Sequence, residues 1–158
     1  MSETNKELRP KVGVGVYIIN DKNEVLLLLR NSSHGSGTWC PPGGHMEYGE
    51  SFFETGARET KEETDLDVSE IELAGVTNDI YTEKTKHYIT LHLRAKKYTG
   101  NEKIMENEKA SDMKWFPLSA LPENMFLSAK NFFSENHLCL CGSGKKFEEC
   151  CKNSLSKV

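Results

Sequence analysis

The sequence has no long apolar stretch and, away from its C-terminal end, almost no cysteine. Its longest unbroken apolar run is Val25–Leu29, far shorter than the roughly 20 residues that a membrane-spanning helix needs. The first residues are polar and contain no apolar core of a secretory signal. We therefore expect a cytoplasmic protein that has no membrane partner.

An excess of positive charge is also missing. The chain carries 20 Lys and Arg against 24 Asp and Glu, a formal net charge of −4. Nucleic-acid affinity comes mostly from clustered cations that neutralise phosphates, so a general nucleic-acid binder is not expected. Charge and cysteine are unevenly distributed. Acidic residues are concentrated between 47 and 72, and four of the five cysteines lie after residue 138.

The 158 residues are enough for one main domain, and no internal repeat is visible. Residues 1–10 have the composition of a disordered tail. Apolar alternation and turn signals predict strands and two amphipathic helices. The strands are placed at 12–19, 25–30, 71–81, 86–97 and 112–116, and the helices at 51–65 and 122–135. This order favours an α/β fold in which helices cover both faces of a mixed sheet.

The first predicted helix carries a cluster of acidic side chains. Glu59, Glu62 and Glu63 fall within an arc of about 100° on one helix face. Like charges at this spacing repel each other by a few tenths of a kcal/mol per pair. Two interpretations fit the cluster. It is a solvated acidic surface, or it binds hard divalent cations through carboxylate oxygens.

The surrounding segment favours the second interpretation, because residues 44–66 resemble the Nudix box. The matching positions have the correct spacing and are Gly44, Glu50, Arg58, Glu59, Glu62, Glu63 and Leu66. Two positions depart from the pattern. Thr60 stands for a bulky aliphatic residue and Asp65 for the glycine that ends the helix. Asp tolerates the left-handed conformation better than most residues, so we still expect the helix to end there.

The resemblance implies a Nudix hydrolase domain over residues 11–137, with an α/β/α sandwich built on a mixed sheet. It also implies hydrolysis of a diphosphate linked to another group, with Mg²⁺ or Mn²⁺ as cofactor. By the same resemblance the catalytic set is Glu50, Arg58, Glu59, Glu62 and Glu63. Glu59 and Glu63 are then the main metal ligands and Glu62 a supporting one. Arg58 orients a carboxylate, and Glu50 either braces the loop or joins the metal shell. The general base is left unassigned, and Glu106 or Glu108 is a further candidate carboxylate.

Within the family, the chain looks most like the MutT-like nucleoside-triphosphate diphosphatases. We expect it to cut an NTP or dNTP, including oxidised forms, to a monophosphate and pyrophosphate. Four alternatives stay open. The substrate is a nucleotide sugar, a capped RNA or another nucleoside diphosphate derivative, or the domain is a ligand sensor without catalysis.

Recognition of the nucleotide requires an aromatic or apolar slot with a few polar groups. The candidates by position are Trp39, Gly43, Gly44, His45, Thr90 and Phe126. Core packing is an alternative role for Trp39 and Phe126, and bracing of the loop is an alternative for His45. Cys40 is interpreted as a small buried apolar residue.

The C-terminal cysteines form a C-x-C-x₈-C-C pattern, which consists of Cys139, Cys141, Cys150 and Cys151. Four thiolates at this spacing can surround one tetrahedral Zn²⁺. Disulfides fit poorly with a cytoplasmic chain, and the glycine spacing does not match a phosphate-binding P-loop. The segment resembles the SEC-C motif over residues 138–153, in which the last ligand is often His. The resemblance implies a small zinc knuckle that docks to a protein or nucleic acid. We expect the protein to be a monomer or homodimer and its hydrolysis to survive removal of the knuckle.

Overall fold

We describe residues 9–152 of a computed structural model of the protein. The predicted tail, except for Arg9 and Pro10, and the last knuckle residue lie outside these residues. The strands are β1 Lys11–Ile18, β2 Glu24–Arg30, β3 Trp39–Cys40, β4 Gly43–His45, β5 Asp67–Tyr81, β6 Lys86–Thr99 and β7 Ala110–Pro117. The α-helices are α1 Phe52–Thr64 and α2 Leu127–Ser134, and short 3₁₀ turns cover Thr82–Lys84 and Phe147–Glu149.

The strands form two sheets. The larger sheet has the order β4-β1-β6-β5 and is mixed, because β1 and β6 run parallel while the other pairs are antiparallel. The smaller sheet has the order β3-β2-β7 and is antiparallel. Helix α1 contacts the larger sheet through β1, β4, β5 and β6, and helix α2 contacts β5. The predicted α/β class with a mixed sheet and flanking helices is confirmed.

Helix α1 is defined by local signals at both ends. Ser51 caps its N-terminus in a reciprocal capping box with Glu54, through hydrogen bonds of 3.2 and 2.7 Å. The helix ends at Asp65, whose φ of 61° is left-handed, so the predicted stop at the non-glycine position is confirmed. Thr60 is fully buried, which is consistent with a packing role in place of the larger aliphatic residue.

The prediction for α2 was wrong at its N-terminus, since the helix begins at residue 127 instead of 122. The preceding residues are extended and pair with β3. The backbone N–H of Trp39 donates to Asn124 O at 2.9 Å, and the N–H of Phe126 donates to Trp39 O at 2.8 Å. Tertiary hydrogen bonding therefore overrides the local helical pattern there. Strand β5 likewise begins at Asp67, four residues before the predicted start.

Two apolar clusters form the interior. The α1 core lies under helix α1 and contains Val14, Val16, Ile18, Leu26, Leu66, Leu93 and Ala95. The α2 core contains residues of the sheets, of α2 and of the C-terminal segment, namely Tyr17, Val25, Leu27, Trp39, Leu118, Phe132, Phe133, Cys139, Leu140, Phe147 and Cys151. Within residues 9–152, no helix combines the length and apolarity that crossing a bilayer requires.

Candidate active site and cysteine cluster

Strand β4 lies directly against the acidic face of α1. The backbone N–H of Gly43 donates a hydrogen bond of 3.0 Å to Glu63 Oε2. A Cβ at Gly44 would lie 2.4 Å from the carboxylate of Glu59, and a Cβ at Gly43 would lie 2.0 Å from Val14 O. Backbone approach therefore requires glycine at 43, whereas a side chain at 44 would displace the Glu59 carboxylate, and the two glycines bring the β4 backbone to the two carboxylates that the sequence predicts as metal ligands.

Arg58 organises the carboxylates around it. Its guanidinium makes two hydrogen bonds to Glu50, with Nε to Oε1 at 2.6 Å and Nη2 to Oε2 at 3.1 Å. Nη1 also donates to Glu59 Oε1 at 3.0 Å and lies 3.3 Å from Glu62 Oε2. The hydroxyl of Thr55 donates to Glu50 at 2.7 Å. Hydrogen bonding from Arg58 lowers the pKa of Glu50 to about 2. Glu50 is thus engaged in bracing Arg58, which favours the bracing role over direct metal binding.

Glu59 is buried and Glu63 is half-buried, and both face an acidic groove. This groove is lined by Glu47, Glu59, Glu63 and Glu106, with Lys109 at its side. Burial raises the pKa of both Glu59 and Glu63, and that of Glu63 reaches about 8. Lys109 Nζ lies 3.0 Å from Glu106. Several carboxylates converging in a partly buried space fit a hard divalent cation, because a cation offsets both their desolvation and their repulsion.

Glu62 has a different position from the other two predicted metal ligands. Its side chain is 48% exposed, and it is absent from the lining of the acidic groove. Glu106, which the sequence offered as a candidate, does line the groove, whereas Glu108 does not. The structure therefore brings together Glu59, Glu63 and Glu106 and leaves Glu62 at the edge of the cluster.

Next to the acidic groove lies an aromatic cavity of about 720 Å³, including its part open to solvent. Its walls include the side chains of Arg30, His34, Tyr81, Tyr88, Thr90, His92, Phe126 and Ser128. The cavity and the groove share the wall formed by β4 and Glu63. A ligand that fills the cavity can therefore extend directly to the predicted metal ligands.

The rings of the cavity are arranged as a cage. The centroids of Tyr81 and Phe126 lie 5.5 Å apart, and those of His34 and Tyr81 lie 4.6 Å apart. The guanidinium of Arg30 lies 4.3 Å above the Phe126 ring. Among the described residues, neither ring nitrogen of His34 has a hydrogen-bond partner. Burial lowers the pKa of His34 to about 4, so its ring is neutral at pH 7 and offers one donor and one acceptor.

A buried polar network supports the floor of the cavity. Asp79 is fully buried, and its carboxylate accepts hydrogen bonds from Thr90 Oγ1 at 2.5 Å and Asn131 Nδ2 at 2.8 Å. Thr77 Oγ1 donates to the same carboxylate at 3.0 Å and lies 2.8 Å from His92 Nε2. The network ties β5 and β6 to helix α2 and so fixes Thr90 at the cavity wall.

Five of the six predicted nucleotide-binding residues line the cavity, and these are Gly43, Gly44, His45, Thr90 and Phe126. The exception is Trp39, which is 8% exposed and packs in the α2 core with its ring centroid 4.8 Å from that of Phe116. Cys40 lies at the cavity wall, and burial raises the pKa of its thiol to about 11, which agrees with an unreactive role.

Sequence reasoning missed Arg30, His34, Tyr81 and Tyr88. Arg30 and Tyr81 end two strands about 50 residues apart in the chain, and His34 lies in the loop after Arg30. A partial signal was present in β6, where Tyr88, Thr90 and His92 alternate and therefore share one face of the strand.

The four C-terminal cysteines form a compact cluster. Their sulfur atoms all lie within 4.8 Å of one another, and none of them forms a disulfide. Gly142 and Gly144, with φ angles of 85° and 77°, allow the turn that brings the two pairs together. Four soft sulfur donors around one point fit a tetrahedral Zn²⁺.

A family model for the NUDIX domain matches residues 9–135. The chain belongs to the Nudix family. A second model, for the SEC-C motif, matches residues 136–153 and includes all four clustered cysteines. Both resemblances found in the sequence are thereby confirmed. The chain is a Nudix pyrophosphohydrolase, an enzyme class that uses a divalent metal ion, and its cysteine cluster is that of a zinc motif.

The relatives span several Nudix groups. Bis(5'-nucleosyl)-tetraphosphatase [asymmetrical] of Mus musculus is 29% identical over 126 residues, covering 78% of this chain and 86% of that protein. Nudix hydrolase 5 of Arabidopsis thaliana is 27% identical over 113 residues, which are 68% of this chain and 36% of that protein. The crystal structure of a MutT Nudix hydrolase from Burkholderia pseudomallei has a TM-score of 0.74 at 25% identity, covering 78% of this chain and 96% of that one.

Proposed function

We propose that this Nudix enzyme hydrolyses a nucleoside triphosphate, normal or oxidised, to a monophosphate and pyrophosphate. The observation that carries the proposal is the shared wall between the aromatic cavity and the acidic groove. A nucleoside triphosphate is an aromatic base joined through a sugar to a chain of phosphates, and the two adjoining sites match the base and the phosphates in order. The proposed substrate is therefore a small nucleotide that is bound through both its base and its phosphates.

In the acidic groove, we assign Glu59 and Glu63 as the protein ligands of Mg²⁺ or Mn²⁺. Bound there, the metal would neutralise phosphate charge and acidify a water molecule. Arg58 holds the Glu59 carboxylate at 3.0 Å and is itself fixed by two hydrogen bonds to Glu50. Glu62 is assigned a supporting role at the edge of the cluster, and Glu106 supplies a further carboxylate in the lining of the groove.

In the aromatic cavity, we assign Phe126 and Tyr81 as stacking surfaces for the base. Stacking of a base on an aromatic ring contributes about 1–3 kcal/mol. The neutral His34 ring and the hydroxyl of Thr90 offer hydrogen bonds to polar edges, and His45 Nε2, held 3.2 Å from Tyr88 OH, stands where the two sites meet. The proposal therefore predicts discrimination between bases by a few polar contacts inside an apolar slot.

A second candidate substrate is a dinucleoside tetraphosphate. It is favoured by the mouse bis(5'-nucleosyl)-tetraphosphatase, of which this chain covers 86%. One nucleoside would occupy the aromatic cavity while the polyphosphate crosses the acidic groove. The ligand-sensor alternative is disfavoured, because Arg58, Glu59 and Glu63 are all present and held in place by hydrogen bonds. The nucleotide-sugar alternative is distinguished by its products.

The test is to incubate the purified protein with Mg²⁺ or Mn²⁺ and a panel of substrates, and to identify the phosphate products. The panel contains NTPs, dNTPs, 8-oxo-dGTP, dinucleoside tetraphosphates, capped RNA and nucleotide sugars. We expect pyrophosphate from one or a few triphosphates, with no product from Glu59→Gln and normal product from Glu123→Gln, an exposed control. Turnover confined to dinucleoside polyphosphates or nucleotide sugars would contradict the triphosphate assignment.

The cysteine cluster and the knuckle surface bear on the location and the partners of the protein. We assign the protein to the cytoplasm, because four closely spaced thiols stay reduced and available for zinc there. We also infer that the exposed Lys145 and Lys146 of the knuckle offer a basic surface for a protein or nucleic-acid partner. The enzyme acts as a monomer or homodimer.

A further inference from the structure

The cysteine knuckle shares the α2 core of the Nudix domain. Leu140 and Phe147 are 2% and 6% exposed, and Cys139 and Cys151 are buried beside them. The Phe147 ring lies 5.1 Å from that of Phe133 in helix α2. Burying two large apolar side chains contributes several kcal/mol, by about 1.5–3 kcal/mol each. The knuckle is thus packed as part of the domain.

Polar and steric contacts with the larger sheet also fix the position of the knuckle on the Nudix domain. Arg94 on β6 donates from Nε to Leu140 O at 2.5 Å while its Nη1 binds Glu72 at 2.9 Å. A Cβ at Gly142 would lie 2.9 Å from Arg94 Nη2, and a Cβ at Gly75 would lie 2.9 Å from the His137 ring. These close approaches leave little freedom for the knuckle to sit elsewhere.

Helix α2 connects the knuckle to the aromatic cavity. The Phe132 ring stacks on His137 at 4.8 Å on one side and on His92 at 4.7 Å on the other, and His92 lines the cavity. At the other end of the helix, Phe126 and Ser128 form part of the cavity wall. A shift of α2 would therefore move the surface on which the base is proposed to stack.

The knuckle has little regular structure to hold its own shape. Its described part contains one 3₁₀ turn of three residues and a single bridge between Leu138 and Lys146. Small zinc modules of this kind depend on the metal for folding. The sulfur atoms of the four cysteines already lie close enough to share one ion.

We propose that the zinc-bound knuckle is a positioning element of the aromatic cavity, acting through helix α2. Its four cysteines hold Leu140 and Phe147 in the α2 core, and these residues in turn hold the helix whose N-terminal end forms the cavity wall. The effect on nucleotide binding rests on the proposed function, whereas the coupling of the knuckle to α2 does not. Contrary to the expectation from sequence, removal of the knuckle should then impair nucleotide binding.

The experiment compares the wild-type protein with the double variant Cys141→Ser/Cys150→Ser, which removes two ligands and leaves Cys139 and Cys151 in the core. Glu149→Ala, an exposed change within the knuckle, is the matched control. Zinc content, amide hydrogen exchange of residues 127–134 and 52–64, and nucleotide KM are measured on full-length protein. We expect the double variant to lose zinc and its α2 amides to exchange at least about tenfold faster, with α1 unchanged. KM should rise more than kcat falls.

Unchanged exchange in α2 after loss of zinc would overturn the proposal, and so would equal loss of protection in both helices, since the coupling would then not be local. If the double variant does not fold, the same exchange measurement is made on wild-type protein stripped of zinc by a chelator and then reloaded with zinc alone. Recovery of α2 protection on reloading is expected, and its absence would contradict the proposal. These readouts need no turnover, so they are independent of the substrate assignment.

Discussion

The two helices of this protein are built and supported in different ways. Helix α1 carries the proposed catalytic carboxylates and is defined within the 44–66 segment by its own capping box, its left-handed stop at Asp65 and the bracing of Arg58 by Glu50. Helix α2 has no side-chain cap, and its position depends on β3, Asp79 and the cysteine knuckle. On the proposed assignments, the metal ligands of α1 are encoded locally, whereas the nucleotide-binding cavity is assembled from distant parts of the chain.

The largest effect is expected from the α1 side of the comparison. Glu63→Gln removes a predicted metal ligand while keeping its size and its contact with Gly43 N. We expect turnover to fall by at least about a hundredfold, because metal-dependent charge stabilisation is worth several kcal/mol. The measurement is kcat at saturating Mg²⁺, with circular dichroism as the control for folding. A rate near that of the wild type would refute the ligand assignment.

A large loss of stability is expected on the α2 side. Phe147→Ala removes a ring that is 6% exposed and packed on Phe133. Truncation of a buried Phe costs about 3–5 kcal/mol, and denaturant unfolding measures that loss. Glu149→Ala, an exposed neighbour in the same turn, is the control and should cost less than about 0.5 kcal/mol. A loss below about 1 kcal/mol for Phe147→Ala would mean that the knuckle is docked only weakly.

A smaller, selective effect is expected in the cavity. Phe126→Ala removes a proposed stacking surface without touching the carboxylates of α1. We expect KM to rise about tenfold with kcat changed by less than about threefold, since base stacking is worth about 1–3 kcal/mol. Steady-state kinetics on the preferred nucleotide gives both constants. A fall in kcat with an unchanged KM in Phe126→Ala would contradict the assignment of this ring to substrate binding.

The smallest effect is expected at the end of α1. Asp65→Gly relieves a left-handed non-glycine residue with φ 61° but removes surface ion pairs to Lys61 and Lys103. We expect the relief of backbone strain at residue 65 to exceed the stabilisation lost with the two exposed ion pairs. The free energy of unfolding should therefore rise, by less than about 1 kcal/mol. Thermal unfolding tests this change, and activity should be unaltered. Destabilisation by more than about 1 kcal/mol would show that the ion pairs matter more than the backbone.

The distinction between contacts that are local in sequence and contacts between distant residues also explains which features the sequence could predict. The carboxylate helix, its end at Asp65 and the cysteine cluster depend on short spacings, and these were predicted. The start of α2 was not, because residues 124–126 pair with β3, about 85 residues earlier. For Trp39 the sequence left nucleotide binding and core packing open, and the structure buries its ring in the α2 core against Phe116 on β7. Register and packing between distant strands have no signature in a single sequence.

The cavity residues illustrate this limit most clearly. Arg30, His34 and Tyr81, which the sequence did not predict, meet the predicted Phe126 only after β2, β5 and the segment before α2 have been placed. Loop and strand-end positions such as these carry no periodic pattern that marks a shared site. The packing of Leu140 and Phe147 into the Nudix core was equally hidden, because the motif itself resembles a separate module.

The central claim is that the two regions act on opposite ends of one substrate. Its most direct test is a kinetic double-mutant cycle on the preferred nucleotide with wild type, Phe126→Ala, Glu63→Gln and the double variant. The account predicts that Phe126→Ala raises KM, that Glu63→Gln lowers kcat, and that the two effects multiply in the double variant. An effect of Phe126→Ala confined to kcat, or one that disappears when Glu63 is replaced, would contradict it.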